Sequence, residues 1–277
     1  MNLASKNYFK LSIPLGIIIT LLAVFYQRST GPTYPKKIMI GPQENAVQVK
    51  FLRSQGGTID APVVVPQIGQ QMEGTLNYRR FPTNDPWSSI KMTNGPKGGL
   101  NSALPNQPPA GKLQYYLELT IDGQQYQVAT ANDPILIRYK GAVPKFILIP
   151  HIFFMFMTML LSMIAAVEAV RGGKNFFNIA KLATGSLAMG GLLLGPLVQK
   201  YAFGVYWAGF PYDWDLTDNK VLVAAIFWFL ACAINFKKRN PASVVIAALV
   251  LFAIFSIPHS MMGSQYNYQK GQIETDR

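Results

Sequence analysis

Two histidines occur in the chain, His151 and His259, and each directly follows a proline at the end of a long apolar run. Imidazole is the neutral side chain here that readily ligates haem iron or copper. Between the two in sequence lies "QKYAFGVYWAGFPYDWDLTDNK", residues 199–220, dense in aromatic rings and carboxylates. If the flanking runs cross a membrane, His151, His259 and this segment share one face. The two imidazoles are then candidate ligands of a haem (haem b) or of a metal ion. Trp207, Trp214 and Tyr206, with Phe203 and Phe210, could form a flat apolar platform, and Asp215 lies among them. His151, Met155, Met159 and Met163 recur every four residues, and Met261 and Met262 follow His259. Thioether and imidazole together suit Cu(I), although methionine is equally a filler of apolar helices. Plainer readings account for much of the same pattern. Trp and Tyr gather at membrane interfaces, and Thr217 or Asp218 can cap the following helix.

The elements that must position these residues are apolar runs. The chain has 277 residues, half of them hydrophobic and only 14% charged, against about a quarter charged in a typical soluble domain. Five runs are long enough to predict transmembrane helices: residues 11–26, 143–170, 176–199, 221–236 and 242–258. The first lacks a small-x-small cleavage pattern and is expected to stay as a signal anchor. Lys6 and Lys10, then Arg171, Lys174 and Lys181, then Lys237, Lys238 and Arg239 fall at one end of the runs. Asp213, Asp215 and Asp218 fall at the other. The positive-inside rule therefore predicts a multi-pass protein of a bacterial cytoplasmic (inner) membrane. Its N-terminus is inside, with residues 28–142 and the C-terminus outside, in the periplasm of a Gram-negative cell. Glu168, the one acid within a span, is expected to pair with Arg171 or Lys174 at the inner interface. The net charge of +12 belongs to this arrangement; no nucleic-acid motif or continuous basic face accompanies it. One cysteine, Cys232, allows neither an internal disulfide nor a thiolate cluster.

Residues 28–142 change character. Short β-type runs ("AVQVKFL", "APVVVP", "GTLNYRRF", "KLQYYLELTI", "QQYQVA", "PILIRY") alternate with proline and glycine. Asp122-Gly123 between two alternating runs predicts a hairpin. Spaced strands of this kind predict an all-β sandwich. "YRRFPTNDPWSSIKM" and "ALPNQPPAGKLQYYLEL" resemble a fibronectin type III or immunoglobulin-like module, which implies a fold but no function. The segment has no histidine or cysteine, so a serine or cysteine hydrolase centre is excluded there. Arg79 and Arg80 beside Tyr78 could meet an acidic partner, or one could simply face solvent. The expected organisation is a transmembrane anchor at 1–27, an extracytoplasmic β-domain at 28–142, a four-helix bundle at 143–260 with the aromatic loop 199–220, and an outer tail at 261–277.

"FGVYWAGFPYDWDLTDNKVLVAAIFWFLACAI" resembles the tryptophan-rich outer loop and following helix of the haem-handling membrane proteins of cytochrome c maturation. Gly204, Tyr206, Trp207, Trp214 and Asp215 match that loop, and "IPHSMMG" is similar to the stretch that follows one of its histidines. The resemblance implies haem held at the outer face by His151 and His259. It departs from the family in the insert "AGFPYD" and in Leu-Thr-Asp after the aspartate. The stretches "GPLVQKYAFG" and "DLTDNK" are also similar to an uncharacterised family of bacterial membrane proteins. Two functions follow as expectations. The first is a non-enzymatic accessory, scaffold or assembly protein that meets a membrane or periplasmic partner through its β-domain and aromatic loop. The second is a haem-binding or haem-handling protein. A transporter is a weaker third, since five spans lack an even inverted repeat.

Overall fold

A computed structural model describes residues 3–96, 98–258 and 263–275; His259, Met261 and Met262 lie outside the described residues. Six α-helices carry the apolar runs: α1 (Leu3–Thr30), α2 (Lys145–Val170), α3 (Phe176–Leu187), α4 (Gly195–Phe203), α5 (Leu216–Lys237) and α6 (Pro241–Ser256). A π-helical segment, Ala188–Leu194, joins α3 to α4, making one apolar rod from Phe176 to Phe203. Among the described residues four helices are long and apolar enough to cross a membrane: Ser12–Thr30, Lys145–Val170, Phe176–Phe203 and Leu216–Lys237.

The fifth expected span falls short. α6 has 16 residues, a rise of about 24 Å against about 30 Å of hydrocarbon. It stops at Ser256, not at Pro258, because the residue before a proline is driven out of the helical region; Ile257 is extended, at φ −72 and ψ 123. The fourth span starts earlier than its apolar run predicts. Its N-cap is Asp215, whose side chain accepts from the amides of Thr217 (2.8 Å) and Asp218 (3.4 Å), so neither Thr217 nor Asp218 is the cap.

The helices meet through small residues. Ala165, Ala180, Ala183, Ala224, Ala247 and Ala248 are fully buried around Trp228, which lets backbones approach closely. Leu21, Leu22, Phe25, Leu230, Ile246 and Leu249 point outward and exposed, so the outer surface is apolar as well. Glu168 is buried beside Gly173, where a Cβ would come within 2.1 Å of its Oε1. Among the described residues no ion pair joins it to Lys174.

Between α1 and α2 the described residues form eleven strands: β1 (Lys36–Ile40), β2 (Val47–Phe51), β3 (Ser54–Gly56), β4 (Ala61–Val65), β5 (Met72–Phe81), β6 (Ser88–Lys91), β7 (Thr93–Asn94), β8 (Leu100–Leu104), β9 (Lys112–Ile121), β10 (Gln124–Val128) and β11 (Ile135–Lys140). One sheet runs β3-β11-β9-β5-β6 with β10 also on β9, a second runs β4-β8-β7, and β1 pairs β2. β4 shows why the sheets pack: Ala61, Val63 and Val65 are buried, while Pro62 and Val64 face out. Period-two patterning of this kind puts one face of a strand in a core. Pro62, which has no amide to donate, lies on an edge strand as it must. Leu76, Leu104, Leu113, Leu117, Ile137 and Tyr115 close the shared core. The Asp122-Gly123 hairpin forms between β9 and β10, with both residues at positive φ (49 and 84), the geometry of a type I′ turn.

Candidate functional site

The β-domain is fixed to the helices at three places near one point. β11 leads directly into α2, and the amide of Gly141 donates to the carbonyl of Ala202 at the end of α4 (2.9 Å). A Cβ at Gly141 would come within 2.1 Å of the Tyr201 carbonyl oxygen, so the close approach requires glycine. Beyond α6 the tail makes a hairpin, β12 (Ser264–Asn267) and β13 (Gln272–Thr275), which lies against the β-domain instead of trailing free. The amide of Tyr266 donates to Ala110 O (3.1 Å), Lys112 Nζ to Gln265 Oε1 (2.6 Å), and Tyr268 Oη to Gln107 Oε1 (3.1 Å).

Asp215 and Arg138 converge on the start of this hairpin. Asp215 Oδ2 accepts from both the amide (3.0 Å) and the hydroxyl (3.1 Å) of Ser264, while the Arg138 guanidinium donates to Ser264 O and stacks over Phe203 at 4.3 Å. Asp215, Arg138 and Ser264 are all buried. Asp215 therefore joins two segments: it caps α5 with one oxygen and holds the tail with the other. The remainder of the aromatic loop folds onto the first turn of α5. Asp218 Oδ2 accepts from the Ala208 amide (2.6 Å), Asn219 Oδ1 from the Phe210 amide (2.7 Å), and Trp207 Nε1 donates to Phe210 O (3.1 Å).

Beneath this junction a cavity of about 610 Å³ opens between α1, α2, α5 and α6, within the size range of small-molecule sites. His151 lines it together with Met155 and Met159 from the same stripe, whereas Met163 is buried in the bundle core. Nδ1 of His151 lies 2.9 Å from the carbonyl oxygen of Gly190. A carbonyl can only accept, so Nδ1 carries the proton and Nε2 is the ring nitrogen left with a lone pair. The π-helical turn makes this geometry: Gly190 O also accepts from the Gly195 amide, five residues on. Gly190 lets α2 come close, since a Cβ there would meet Phe154 Cβ at 2.8 Å. No protein-family model, curated protein or solved structure matches the chain. The site must be read from its own chemistry.

Of the sequence-predicted residues, the structure puts His151 in the cavity and Asp215 in the clamp above it. Trp207, Trp214 and Tyr206 do not line the cavity. Tyr206 and Trp214 are more than half exposed; Lys200 sits over the Tyr206 ring at 5.3 Å, and Trp214 lies 6.2 Å from Phe210. Among the described residues no group of three His, Cys, Asp or Glu could hold a metal ion. Arg79 and Arg80 are engaged within the domain. Arg79 donates to Gln114 (2.9 Å) and stacks over Trp87, which packs edge-on against Tyr116; Arg80 pairs with Asp85 (3.1 Å).

Sequence reasoning missed the cavity's cations. Arg28 from α1, Lys140 from β11 and Lys220 from α5 all line it. Lys220 is buried and donates to Ile257 O (2.9 Å) and Pro258 O (3.4 Å). Partial desolvation, and then the nearby Arg138 guanidinium, lower the pKa of Lys140. Each of these residues alone resembles an ordinary interfacial cation, and only the packing brings them together.

Proposed function

We propose that the chain is a five-span protein of a bacterial cytoplasmic membrane, in which the short α6 completes its crossing where the bilayer thins locally around it. Its N-terminus is inside, its sandwich-like domain and tail are outside, and it works as a non-enzymatic accessory, scaffold or assembly protein. The clamp carries this reading. A domain serving only as a tethered cap needs no fixed orientation, yet here Gly141, Arg138, Asp215 and the tail hairpin hold it to the helices at several points. Fixed orientation is what a surface needs if it presents a docking face to another membrane or periplasmic protein, because preorganisation lowers the entropic cost of binding. The basic ends of the helices support the direction of insertion: Arg171, Lys237 and Lys238 lie at the ends of α2 and α5 remote from the β-domain. The immunoglobulin or fibronectin-like class of the sandwich belongs to the same proposal.

The test is a photo-crosslinking amino acid placed at Ser88, on the exposed β6 beside Trp87, in intact cells. One stoichiometric product that disappears when the clamp is opened by Asp215→Asn supports the reading. Crosslinks that are diffuse, or indifferent to the clamp, count against it.

A second reading, haem binding, is favoured by one observation. A histidine whose Nδ1–H is held by a backbone carbonyl has the orientation that metal-ligating histidines adopt. His151 would supply that ligand, and a haem there would bring redox or transfer chemistry; the exposed Tyr206 and Trp214 fit such a group poorly. The visible spectrum of detergent-purified protein decides. A Soret band abolished by His151→Ala supports haem, and a colourless protein retires it.

A further inference from the structure

We infer that the cavity between α1, α2, α5 and α6 is a binding site for one anionic phospholipid, its phosphate at Arg28 and Lys140 and an acyl chain along Ile152, Phe156 and Met159. The inference rests on the membrane-spanning reading above and not on the accessory role. Three cations border the cavity, and none of the described residues lining it is acidic. Among the described residues no ion pair neutralises Arg28, Lys140 or Lys220. Lys220 is occupied by two carbonyl oxygens, so it adds field more than contact. Arg28 and Lys140 are the exposed pair able to reach an incoming oxyanion.

Lys220 lies within the field of Asp215, but Arg28 and Lys140 have no ion-pair partner among the described residues, and like charges in a half-buried space favour an anion. They equally disfavour the bare metal cation that His151, Met155 and Met159 would otherwise suit. Polarity then changes with depth. Arg28 and Lys140 sit at the β-domain end, while Met159 lies eight residues past His151 along α2, roughly 12 Å deeper by helical rise. A charged rim above an apolar shaft matches a phosphate head above a hydrocarbon tail, as in other basic pockets between membrane helices. The entrance faces the right solvent. α1 is the least enclosed of the four long apolar helices, with 11% of its span buried, and Ile152 and Phe156 stay 41% and 45% exposed beside it.

The full chain is reconstituted in nanodiscs of phosphatidylcholine, with trace phosphatidylglycerol carrying a photoreactive group in one acyl chain, and crosslinked peptides are mapped. Crosslinks are expected on the α1 segment around residues 23–28 and the α2 segment around 152–159, displaced by unlabelled phosphatidylglycerol and not by phosphatidylcholine. Losing charge-assisted contacts should weaken this labelling at least about tenfold in the Arg28→Gln/Lys140→Gln variant, with labelling retained in Lys140→Arg. Equal labelling by the photoreactive phosphatidylcholine analogue, or an unaffected double-glutamine variant, would overturn the proposal. Displacement by oleate as effective as by phosphatidylglycerol would assign the site to a carboxylate amphiphile instead, and so overturn it too. If the double variant loses its native thermal unfolding transition, Lys140→Gln alone serves for the same comparison. Extraction of the chain from membranes by alkaline carbonate without detergent would sink the membrane reading first, and this inference with it.

Discussion

Replacing Asp215 with asparagine separates its two tasks. Asn caps a helix about as well as Asp, so the bond from the Thr217 amide to Oδ1 (2.8 Å) should survive. The other oxygen becomes an NH₂ that can accept from neither the amide nor the hydroxyl of Ser264, which leaves the buried amide without its acceptor. Hydrogen bonds to a charged acceptor contribute about 1.5–3 kcal/mol each, and a buried donor without a partner costs about 1–3 kcal/mol. The bonds from Tyr266 to Ala110 and from Lys112 to Gln265 remain, so the lower end of the combined loss applies, about 3 kcal/mol. That corresponds to an opening constant on the order of a hundredfold larger. Amide-resolved hydrogen exchange in detergent reads it directly, because local openings appear at their own free energies. Exchange at Ser264 should accelerate on the order of a hundredfold while Thr217 stays slow. If Ser264 keeps its protection, the clamp is not held by Asp215. If both amides accelerate equally, the variant has loosened the whole bundle and the separation of roles is wrong.

Three further outcomes can be checked. Gly190→Ala forces a Cβ to within 2.8 Å of Phe154 and should lower unfolding stability in detergent by about 1–3 kcal/mol; Gly185→Ala, with nothing within 4 Å, should leave stability unchanged or raise it by up to about 1 kcal/mol. Gly123→Val places a branched residue at φ 84 in open space, so only the left-handed backbone opposes it, and thermal unfolding should report a loss of about 1–2 kcal/mol. Tyr268 is pushed up to about 12 from 10.0, by desolvation first, and its hydroxyl must keep its proton to donate to Gln107 or the Lys112 carbonyl. A folded pKa above the unfolded one means the contribution is complete below pH 10 and lost between 10 and about 12. Protease sensitivity of residues 263–275 should therefore rise across that window and, in Tyr268→Phe, show no such step.

Much of the scaffold was legible because it follows from local patterns. Apolar runs gave the helices, and the Asp122-Gly123 pair gave a turn whose positive φ values only such residues take cheaply. The ends of elements were harder. "DWDLTDN" offers three carboxylates and a threonine as caps, and what selects Asp215 is Ser264, which comes 49 residues later. The tail has no hydrophobic run, so its pairing with the β-domain through Tyr266, Tyr268 and Gln265 left little local trace beyond the alternation in "SQYNYQ". His151 was found from its chemistry and its place beside Pro150, whereas the partner carbonyl at Gly190 depends on a π turn that no propensity announces. The cavity's cations were invisible for a related reason: Arg28, Lys140 and Lys220 belong to three separate elements, and their shared field exists only after packing.

The clamp also bears on how the chain is assembled. Arg138 is translated before α2, Asp215 between α4 and α5, and Ser264 after α6, so on the proposed five-span topology the three meet only when every intervening helix has crossed in the right direction. On that topology a chain that skipped one crossing would divide Arg138, Asp215 and Ser264 between the two sides of the bilayer, and the junction could not close. On the proposed topology the finished junction would then work as a parity check on insertion. A miscounted molecule would display a buried arginine and aspartate in the open, the sort of flaw that quality-control proteases can recognise.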